Sequence, residues 1–302
     1  MNLGLKRGTV ALFPHETAWE EEAARTVETL CAVLGDAAAE MQHVGSTGIK
    51  NIKAKPIVDI AVAAEDFGAV LAKEDAMRDA GFYYRPGSLE GQLLFARGSF
   101  YDGTGDLQTH FIHVVKAGGQ DWRDYLNFRD YLNTYPAAAK AYEALKEKLA
   151  AECPADEGRK YYLAGKHDFI AHTLRKAMVW SFLGKNVHIG IDRPLGYVHK
   201  KETYALVYPL NYGYIPGVLG GDGEELDVYL LGVNEPLQKA DSVVLGIARR
   251  KNDVEDKLIA APAGMAFTRE EMAAAVRFQE QYYDTFILTC EDLPDFEALY
   301  ER

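Results

Sequence analysis

Apolar periodicity changes at Gly184. Upstream, residues 16–34 place Trp19, Ala23, Val27, Leu30 and Leu34 three or four apart on one helical face, with acidic residues crowding the first turn. Between Asp121 and Leu183 the pattern predicts three more helices. One ends near Asn133, one is opened by Pro136, whose fixed φ suits a first helical turn, and the third is HDFIAHTLRKAMVWSFL. Two runs rich in β-branched residues, IVDIAVA (57–63) and HFIHVV (110–115), read as core strands. Downstream, the short strand-like runs VHIGI, YALVYPL, DVYLLGV and SVVLGIA alternate with PLG, IPG, GGDG and NEP turns. The last clear helix starts at Thr268, where Thr268 and Glu271 spell a capping box, and runs to about Tyr283. Two patterns need two cores, which 302 residues can supply. The reading is an α+β domain over 1–184 followed by a mainly β domain over 185–302.

Charge narrows the partners. The chain carries 33 Lys+Arg against 45 Asp+Glu, a net −12, split as 21 against 25 in 1–184 and 12 against 20 in 185–302. Such a field disfavours nucleic acid and anionic membrane surfaces and leaves small ligands as the expected partners. At 48% hydrophobic and 26% charged residues the composition is that of a globular protein, not a disordered one. Cys31, Cys153 and Cys290 are odd in number and form no CxxC pair, as in a reducing compartment. No apolar run approaches a membrane span of about 18 residues, and MNLGLKRGTVALFPHE has no signal core, so a cytoplasmic protein is expected. The sequence sets no oligomeric state.

Phosphate–phosphate cleavage near neutral pH needs divalent metal to activate water and screen phosphoryl oxygens, and hard Mg²⁺ asks for several carboxylates. GGDGEELDVY supplies Asp222, Glu224 and Asp227 from a turn able to bring residues five apart to one side. Asp253, Glu255 and Asp256 form a second acidic group, interleaved with Lys200, Arg249, Arg250 and Lys257, which suit phosphate oxygens. On spacing alone, solvated turns of an acidic surface are the favoured reading of these residues.

The stretch DRPLGYVHKKETYALVYPLNYGYIPGVLGGDGEELDVYLLGV, then RRKNDVEDKLIAAP and the FQEQYYD helix, resembles the soluble inorganic pyrophosphatase family over about residues 187–296. The resemblance implies an OB-type barrel, Mg²⁺ or Mn²⁺ as cofactor and pyrophosphate or a related diphosphate as substrate. By position it makes Asp222 and Asp227 metal-binding aspartates, and Asp253 and Glu255 replacements for later metal ligands. Tyr212 and Tyr282 match phosphate-contacting tyrosines, Lys257 matches a substrate lysine, and Lys200 falls at a phosphate-binding arginine. Glu224 stands where the family has the aspartate that assists the attacking water, keeping the charge but moving it by one methylene. His188, Gly190 and Tyr283 replace a lysine, a glutamate and another lysine, and an upstream strand with a metal glutamate has no counterpart. The implied site is a reduced one.

In the first half, VGSTGIKNIKAKPIVDIAV sets a Gly-Ser turn before a strand bearing Asp59, without the spacing of a Walker loop. A Gly-Ser turn followed by a strand carboxylate resembles the polymerase-β type of nucleotidyltransferase. HVGSTGIKNIKAKPIVDI, THFIHVV, FRDYLNTYPAAAKAYEALKEKLA and YYLAGKHDFI, in that order over residues 9–173, are similar to the GrpB family of that superfamily. This implies a nucleotidyltransferase-like fold with a cleft lined by Ser46, Lys55, Asp59, His110, His113, Arg129 and Lys166. Ser46 and Lys55 would hold phosphates of a nucleoside triphosphate and Asp59 a single metal. The second strand carboxylate falls at Ala61, and Phe111 interrupts the family's histidine run, so a two-metal transferase site is incomplete.

Each residue also has a plainer reading. His110 and His113 are three apart, so an ideal strand turns them to opposite faces and at least one is structural. Lys55 before Pro56 suits an exposed position, and Arg129 beside Asp124 and Asp130 suits a surface ion pair. Tyr204, Tyr208, Tyr212 and Tyr214 suit barrel filling. The expected function is Mg²⁺-dependent diphosphate hydrolysis by the C-terminal domain, with nucleotide binding or nucleotidyl transfer by the N-terminal domain. The alternatives are a non-catalytic nucleotide or diphosphate binder with degenerate sites, and a protein active only in its first half.

Overall fold

The computed structural model describes residues 2–153, 158–200 and 205–302. Tyr204 therefore lies outside the described residues. The chain forms two compact units, Met1–Leu174 and Arg175–Arg302.

The first unit contains β1 (Leu5–Lys6), α1 (Ala18–Leu34), β2 (Glu40–Val44), β3 (Val58–Ala64), α2 (Phe67–Leu71), α3 (Glu74–Asp79), β4 (Tyr83–Tyr84) and β5 (Leu93–Arg97). It continues with α4 (Ser99–Asp102), β6 (Leu107–Gln108), β7 (His110–Lys116), α5 (Gln120–Thr134), α6 (Pro136–Glu152) and α7 (Gly158–Gly165). Helix α8 (His167–Phe182) begins in this unit and ends in the next. Five strands form one sheet in the order β2-β3-β7-β5-β4, with β3 and β7 parallel and the other pairs antiparallel. The period-2 alternation of β3 sorts its side chains between two cores. Val58, Ile60, Val62 and Ala64 pack with Ala23, Leu30 and Leu34 of α1, whereas Ala61 and Ala63 pack with Val44, Val115 and Trp122 of α5. Asp59 shares parity with Ala61, so the sheet turns it to the α5 face.

Among the described residues the helical stretch after Asp121 holds four helices where the periodicity predicts three. The additional one, α7, spans eight residues, too few to display a repeat.

The second unit opens with the last turns of α8 and continues with β8 (Asn186–Arg193), β9 (Val198–Lys200), β10 (Ala205–Val207), β11 (Asn211–Leu219), β12 (Glu225–Leu230) and β13 (Lys239–Arg250). Then follow β14 (Lys257–Ala261), α9 (Arg269–Glu280), β15 (Thr285–Thr289) and α10 (Phe296–Tyr300). Strands β14-β12-β11-β8-β13 pair in that order and β13 returns to β14, closing a five-stranded barrel. Closure removes the free edges that an open sheet would expose. The β12–β14 pair is parallel, and β15 adds to the outside of β13. Within the unit, Tyr208, Tyr212, Tyr229 and Ile259 pack with Met272 and Val276 of α9. Thr268 and Glu271 make the reciprocal capping box that starts α9. Contrary to the expectation of a last helix ending near Tyr283, α9 stops at Glu280 and the short α10 follows β15.

The barrel draws on the end of α8. Arg175 donates to the Asp253 carbonyl at 2.7 Å and to Asp256 Oδ1 at 3.0 Å, and Lys176 Nζ reaches Glu297 and Glu301 at 2.9 and 2.7 Å. Asp256, fully desolvated, also accepts from Arg249 at 3.2 Å, from the Arg250 amide at 3.1 Å and from the Tyr300 hydroxyl. The loop between β13 and β14 is thus held from four sides.

Candidate functional site

In the first unit a cavity of about 540 Å³ opens over the α5 face at the start of β3. Ser46, Lys55, Asp59, His113 and Lys166 all line it, joined by Lys6, Arg7 and Arg85, which the sequence did not single out. Among its described lining residues five cations face one carboxylate, Asp59. This local charge is opposite to that of the whole chain, and a phosphate-bearing ligand would find it attractive.

Asp59 is fixed by what lies behind it. Gly45 has φ +67°, and a Cβ on it would stand 2.3 Å from Asp59 Oδ2, so only glycine lets the turn before Ser46 close onto the carboxylate. Asp59 Oδ1 lies 3.4 Å from His113 Nε2, and His113 Nδ1 lies 3.0 Å from the Tyr125 hydroxyl, which donates to Gln92 Oε1 at 3.2 Å. The parallel register explains the meeting, since His113 pairs with Ala61, one β-period from Asp59. Lys55 and Lys166 stand over the ring of Tyr162 at 4.2 and 4.7 Å. Burial pulls the Lys166 ammonium below its ordinary pKa, with Asp59 opposing. Behind them Lys146, 1% exposed, is pulled down to about 7 by burial and by Lys166.

Two of the sequence candidates sit elsewhere. His110 faces α1, with Nε2 3.2 Å from Glu22 and Nδ1 2.8 Å from Thr109 Oγ1, and burial lowers it to about 4. Arg129 donates to the His43 carbonyl at 2.8 Å and to Gln42 at 2.9 Å, which anchors β2 to α5.

In the second unit four of the sequence candidates converge. The Tyr212 hydroxyl donates to Asp227 Oδ2 at 2.5 Å, and Lys257 Nζ donates to that hydroxyl at 2.8 Å, to Glu255 Oε2 at 2.8 Å and to Asp227. Strand geometry produces the cluster: Glu255 and Lys257 are two apart, and Lys257 opens β14 beside β12, which carries Asp227. Burial pushes Glu255 up to about 7, against the pull of Lys257 and with the push of Asp227. Burial also opposes ionisation of Asp227, but Lys257 and Tyr212 outweigh it and hold this carboxylate below its usual range. One carboxylate of the pair is therefore firmly ionised and the other is poised near neutrality.

Arg193, missed in the sequence, belongs to this site. Register sets it opposite Tyr212, its guanidinium lies 4.9 Å from the Tyr212 ring centre, and it donates to the Tyr208 hydroxyl at 2.8 Å. Its neighbour Asp192 is pushed up by burial and by Asp227.

The remaining acids stand apart from the cluster. Asp222 and Glu224 are exposed, and Asp222 Oδ1 accepts the Glu224 amide at 3.0 Å, closing the turn. Asp253 accepts from Arg250 at 3.0 Å and from the Val254 amide at 2.7 Å. Lys200 is exposed at the end of β9, which pairs antiparallel with β10, and Tyr282 is 66% exposed after α9. Gly221 ties the two acidic segments together, because a Cβ there would stand 1.9 Å from the Val254 carbonyl. A hard cation is thus offered the converging pair Asp227 and Glu255, with Asp222 and Asp253 on abutting segments. Among the described residues no three acidic, His or Cys side chains are placed to share one metal.

An α/β unit with a basic cavity, followed by a closed β-barrel with a buried Tyr-Asp-Lys-Glu cluster, defines a two-unit fusion. The chain belongs to the GrpB family: the model of the GrpB protein family matches residues 9–176, and that of inorganic pyrophosphatase matches 177–286. It is 35% identical over 176 residues to the glutamate-rich protein GrpB of Alkalihalophilus pseudofirmus, covering 58% of this chain and 99% of that one. The crystal structure of GrpB from Enterococcus faecalis is similar with a TM-score of 0.50 and 27% identity, over 55% of this chain and 96% of that one. The inorganic pyrophosphatase of Neisseria meningitidis is 36% identical over 87 residues, 26% of this chain and 49% of that protein. The chain thus spans about half the length of this pyrophosphatase relative. The barrel agrees with the expected OB-type fold of the inorganic pyrophosphatase kind. No helix among the described residues is long and apolar enough to cross a membrane.

Proposed function

We propose that the barrel unit hydrolyses pyrophosphate or a related diphosphate. The observation that carries this reading is the Tyr212–Asp227–Lys257–Glu255 cluster, which joins a phosphate-binding cation and a phenol to two carboxylates of divergent ionisation. Asp227 and Glu255 would hold Mg²⁺ or Mn²⁺, with Asp222 and Asp253 contributing from the adjoining segments. Bound there, the cation would lower the pKa of water and screen the phosphoryl oxygens. Lys257 and Tyr212 would orient the substrate, joined by Arg193 from the facing strand and by Lys200 and Tyr282 from exposed positions. Glu224 would direct the attacking water.

The cavity of the first unit would take the phosphates of a nucleoside triphosphate on Ser46, Lys55 and Lys166, beside Asp59. Nucleotidyl transfer releases pyrophosphate, so the barrel would remove the product of a reversible step in the first unit. Phosphate release from pyrophosphate, nucleoside triphosphates and nucleotide-linked diphosphates, with and without Mg²⁺, tests the reading. Hydrolysis should depend on Mg²⁺ or Mn²⁺, and Asp227→Asn should cost more rate than Lys200→Ala. The binding-only alternative draws on Lys257, whose ammonium is already bonded to Asp227, Glu255 and the Tyr212 hydroxyl. It prevails if pyrophosphate binds but no phosphate is released.

A further inference from the structure

The far end of the first unit's cavity holds charge that the nucleotide reading does not use. Sheet order sets the separation: Asp59 stands on β3, whereas Arg85 follows β4 at the sheet edge, its amide donating to the Leu94 carbonyl at 2.8 Å. Three inter-strand steps of about 4.8 Å put the two backbones about 14 Å apart, wider than a triphosphate chain. Phe111 of β7 pairs beside Asp59, and Leu94 of β5 pairs beside His113. Both line the cavity, so its floor turns apolar before it reaches the arginine. At this edge Arg7 and Arg85 stand over the consecutive rings of Phe100 and Tyr101, with guanidinium carbons 4.6 and 5.4 Å from the ring centres. The rings meet edge to face at 5.1 Å, the Tyr101 hydroxyl accepts from Gln108 Nε2 at 2.5 Å, and Ser99 Oγ accepts the Leu107 amide at 3.1 Å. These bonds fix α4 against β6, and the β1–β6 ladder, extended by the Arg7 amide on the Asp106 carbonyl at 3.0 Å, brings Arg7 to the same place.

A guanidinium stacked on a ring keeps its N–H edges free for an oxyanion. Among the described residues neither of these arginines is bonded to a carboxylate, whereas the neighbouring Lys6 is paired with Asp106 at 3.2 Å. We propose that Arg7 and Arg85 form a second anion subsite in the cavity, which takes the phosphate monoester of a small molecule other than the nucleotide. Two unpaired guanidinium charges match a monoester of about −1.5 to −2 at neutral pH, and their forks match its three terminal oxygens. A single carboxylate carries less charge and one oxygen fewer. The subsite deepens the nucleotide reading and rests on it for one point only, that the occupant is the acceptor. Binding itself needs no nucleotide.

Calorimetry of the full chain with glycerol phosphate, in chelator and without nucleotide, tests the subsite. Arg7→Ala and Arg85→Ala should each weaken binding at least about 10-fold with circular dichroism unchanged. Arg85→Lys, which keeps the charge but not the fork, should also weaken it. Lys257→Ala should leave this binding as it is, which separates it from phosphate held in the barrel. Succinate, a dianion without phosphate, should bind more weakly. A saturating nucleoside triphosphate should not displace glycerol phosphate, and the two alanine variants should change nucleotide affinity less than about 2-fold. The proposal is overturned if glycerol phosphate does not bind, if both alanine variants bind it like the wild type, or if succinate binds as tightly. It is equally overturned if the nucleotide displaces glycerol phosphate and depends on the same arginines. Arginine-dependent binding of glycerol phosphate in a chain that binds no nucleotide removes the nucleotide reading alone.

Discussion

Replacing Glu255 with Gln should remove a pH-dependent penalty from the barrel. Burial raises this carboxyl from 4.5 to about 7 in the folded chain, despite Lys257. Unfolded, it ionises near 4.5, so between pH 4.5 and 7 the native state keeps a proton that the unfolded state has lost. Its contribution to stability is therefore present below pH 4.5 and disappears as pH rises through 7. At about 1.4 kcal/mol per pH unit the loss comes to about 3 kcal/mol. Little discount for solvent is due, because Glu255 is only 8% exposed. Asp227 is held low and acts in the opposite sense, losing its contribution as pH falls through its lowered value, below the window of Glu255. Gln preserves the shape and can still accept from Lys257, but does not titrate. Amide hydrogen exchange in β14, corrected for intrinsic rates and measured in chelator at pH 5 and pH 8, reads the local free energy. The wild type should lose about 2.5 kcal/mol more than Glu255→Gln across that interval, because part of the loss has already occurred by pH 5. Profiles parallel to within about 0.5 kcal/mol would refute the assignment of a raised Glu255.

Gly221→Ala should separate the two acidic segments, since the new methyl meets the Val254 carbonyl at 1.9 Å; pyrophosphate turnover should fall at least about 10-fold, while the melting of the first unit stays constant. Gly45→Ala, at φ +67° and against Asp59, should cost about 1–3 kcal/mol in thermal unfolding, and an unchanged melting temperature would contradict the close packing. Lys55→Ala with Lys166→Ala should weaken nucleoside triphosphate binding by calorimetry while leaving pyrophosphate hydrolysis unaltered. A fragment of residues 175–302 should be more stable than one of 185–302 by several kcal/mol in urea, since the shorter piece lacks Arg175 and leaves Asp256 buried with one cation fewer.

Local chemistry was legible in the sequence and non-local pairing was not. The helix over 18–34, the strands around Asp59 and His113 and the capping box at Thr268 follow from periodicity and turn chemistry within a dozen residues. The meeting of Asp59 with His113 depends on a parallel register between strands 54 positions apart, which periodicity cannot fix. In the barrel, Lys257 and Glu255 could be paired by their spacing, but Arg193 reaches Tyr212 only through the β8–β11 register. The expectation that Asp222, Glu224 and Asp227 form one set assumed that the turn would gather them. Instead the turn spends Asp222 on the Glu224 amide and leaves Asp227 on the strand beyond. The aromatic series behaved as barrel filling at Tyr208 and Tyr212, yet Tyr212 also serves the polar cluster through its hydroxyl.

The two units meet the same electrostatic problem in different ways. Each turns a strand aspartate toward its candidate site: Asp59 has Ala61 two positions on, and Asp227 has Glu225 two positions before it, whose carboxylate accepts the Gly217 amide at 2.7 Å. In the first unit the neighbouring strand places His113 Nε2 3.4 Å from Asp59 Oδ1, and the cations that line the cavity give it the charge to attract an anion. In the second the neighbouring strand answers with Lys257, which neutralises Asp227 directly and leaves Glu255 near neutrality to balance what enters. A cation entering the barrel must displace Lys257 from at least one carboxylate, while the cavity of the first unit, with five cations to one carboxylate, favours an anion over a bare cation. Lys257→Ala should therefore tighten Mn²⁺ binding to the full chain in calorimetry, and an unchanged or weaker affinity would contradict that competition.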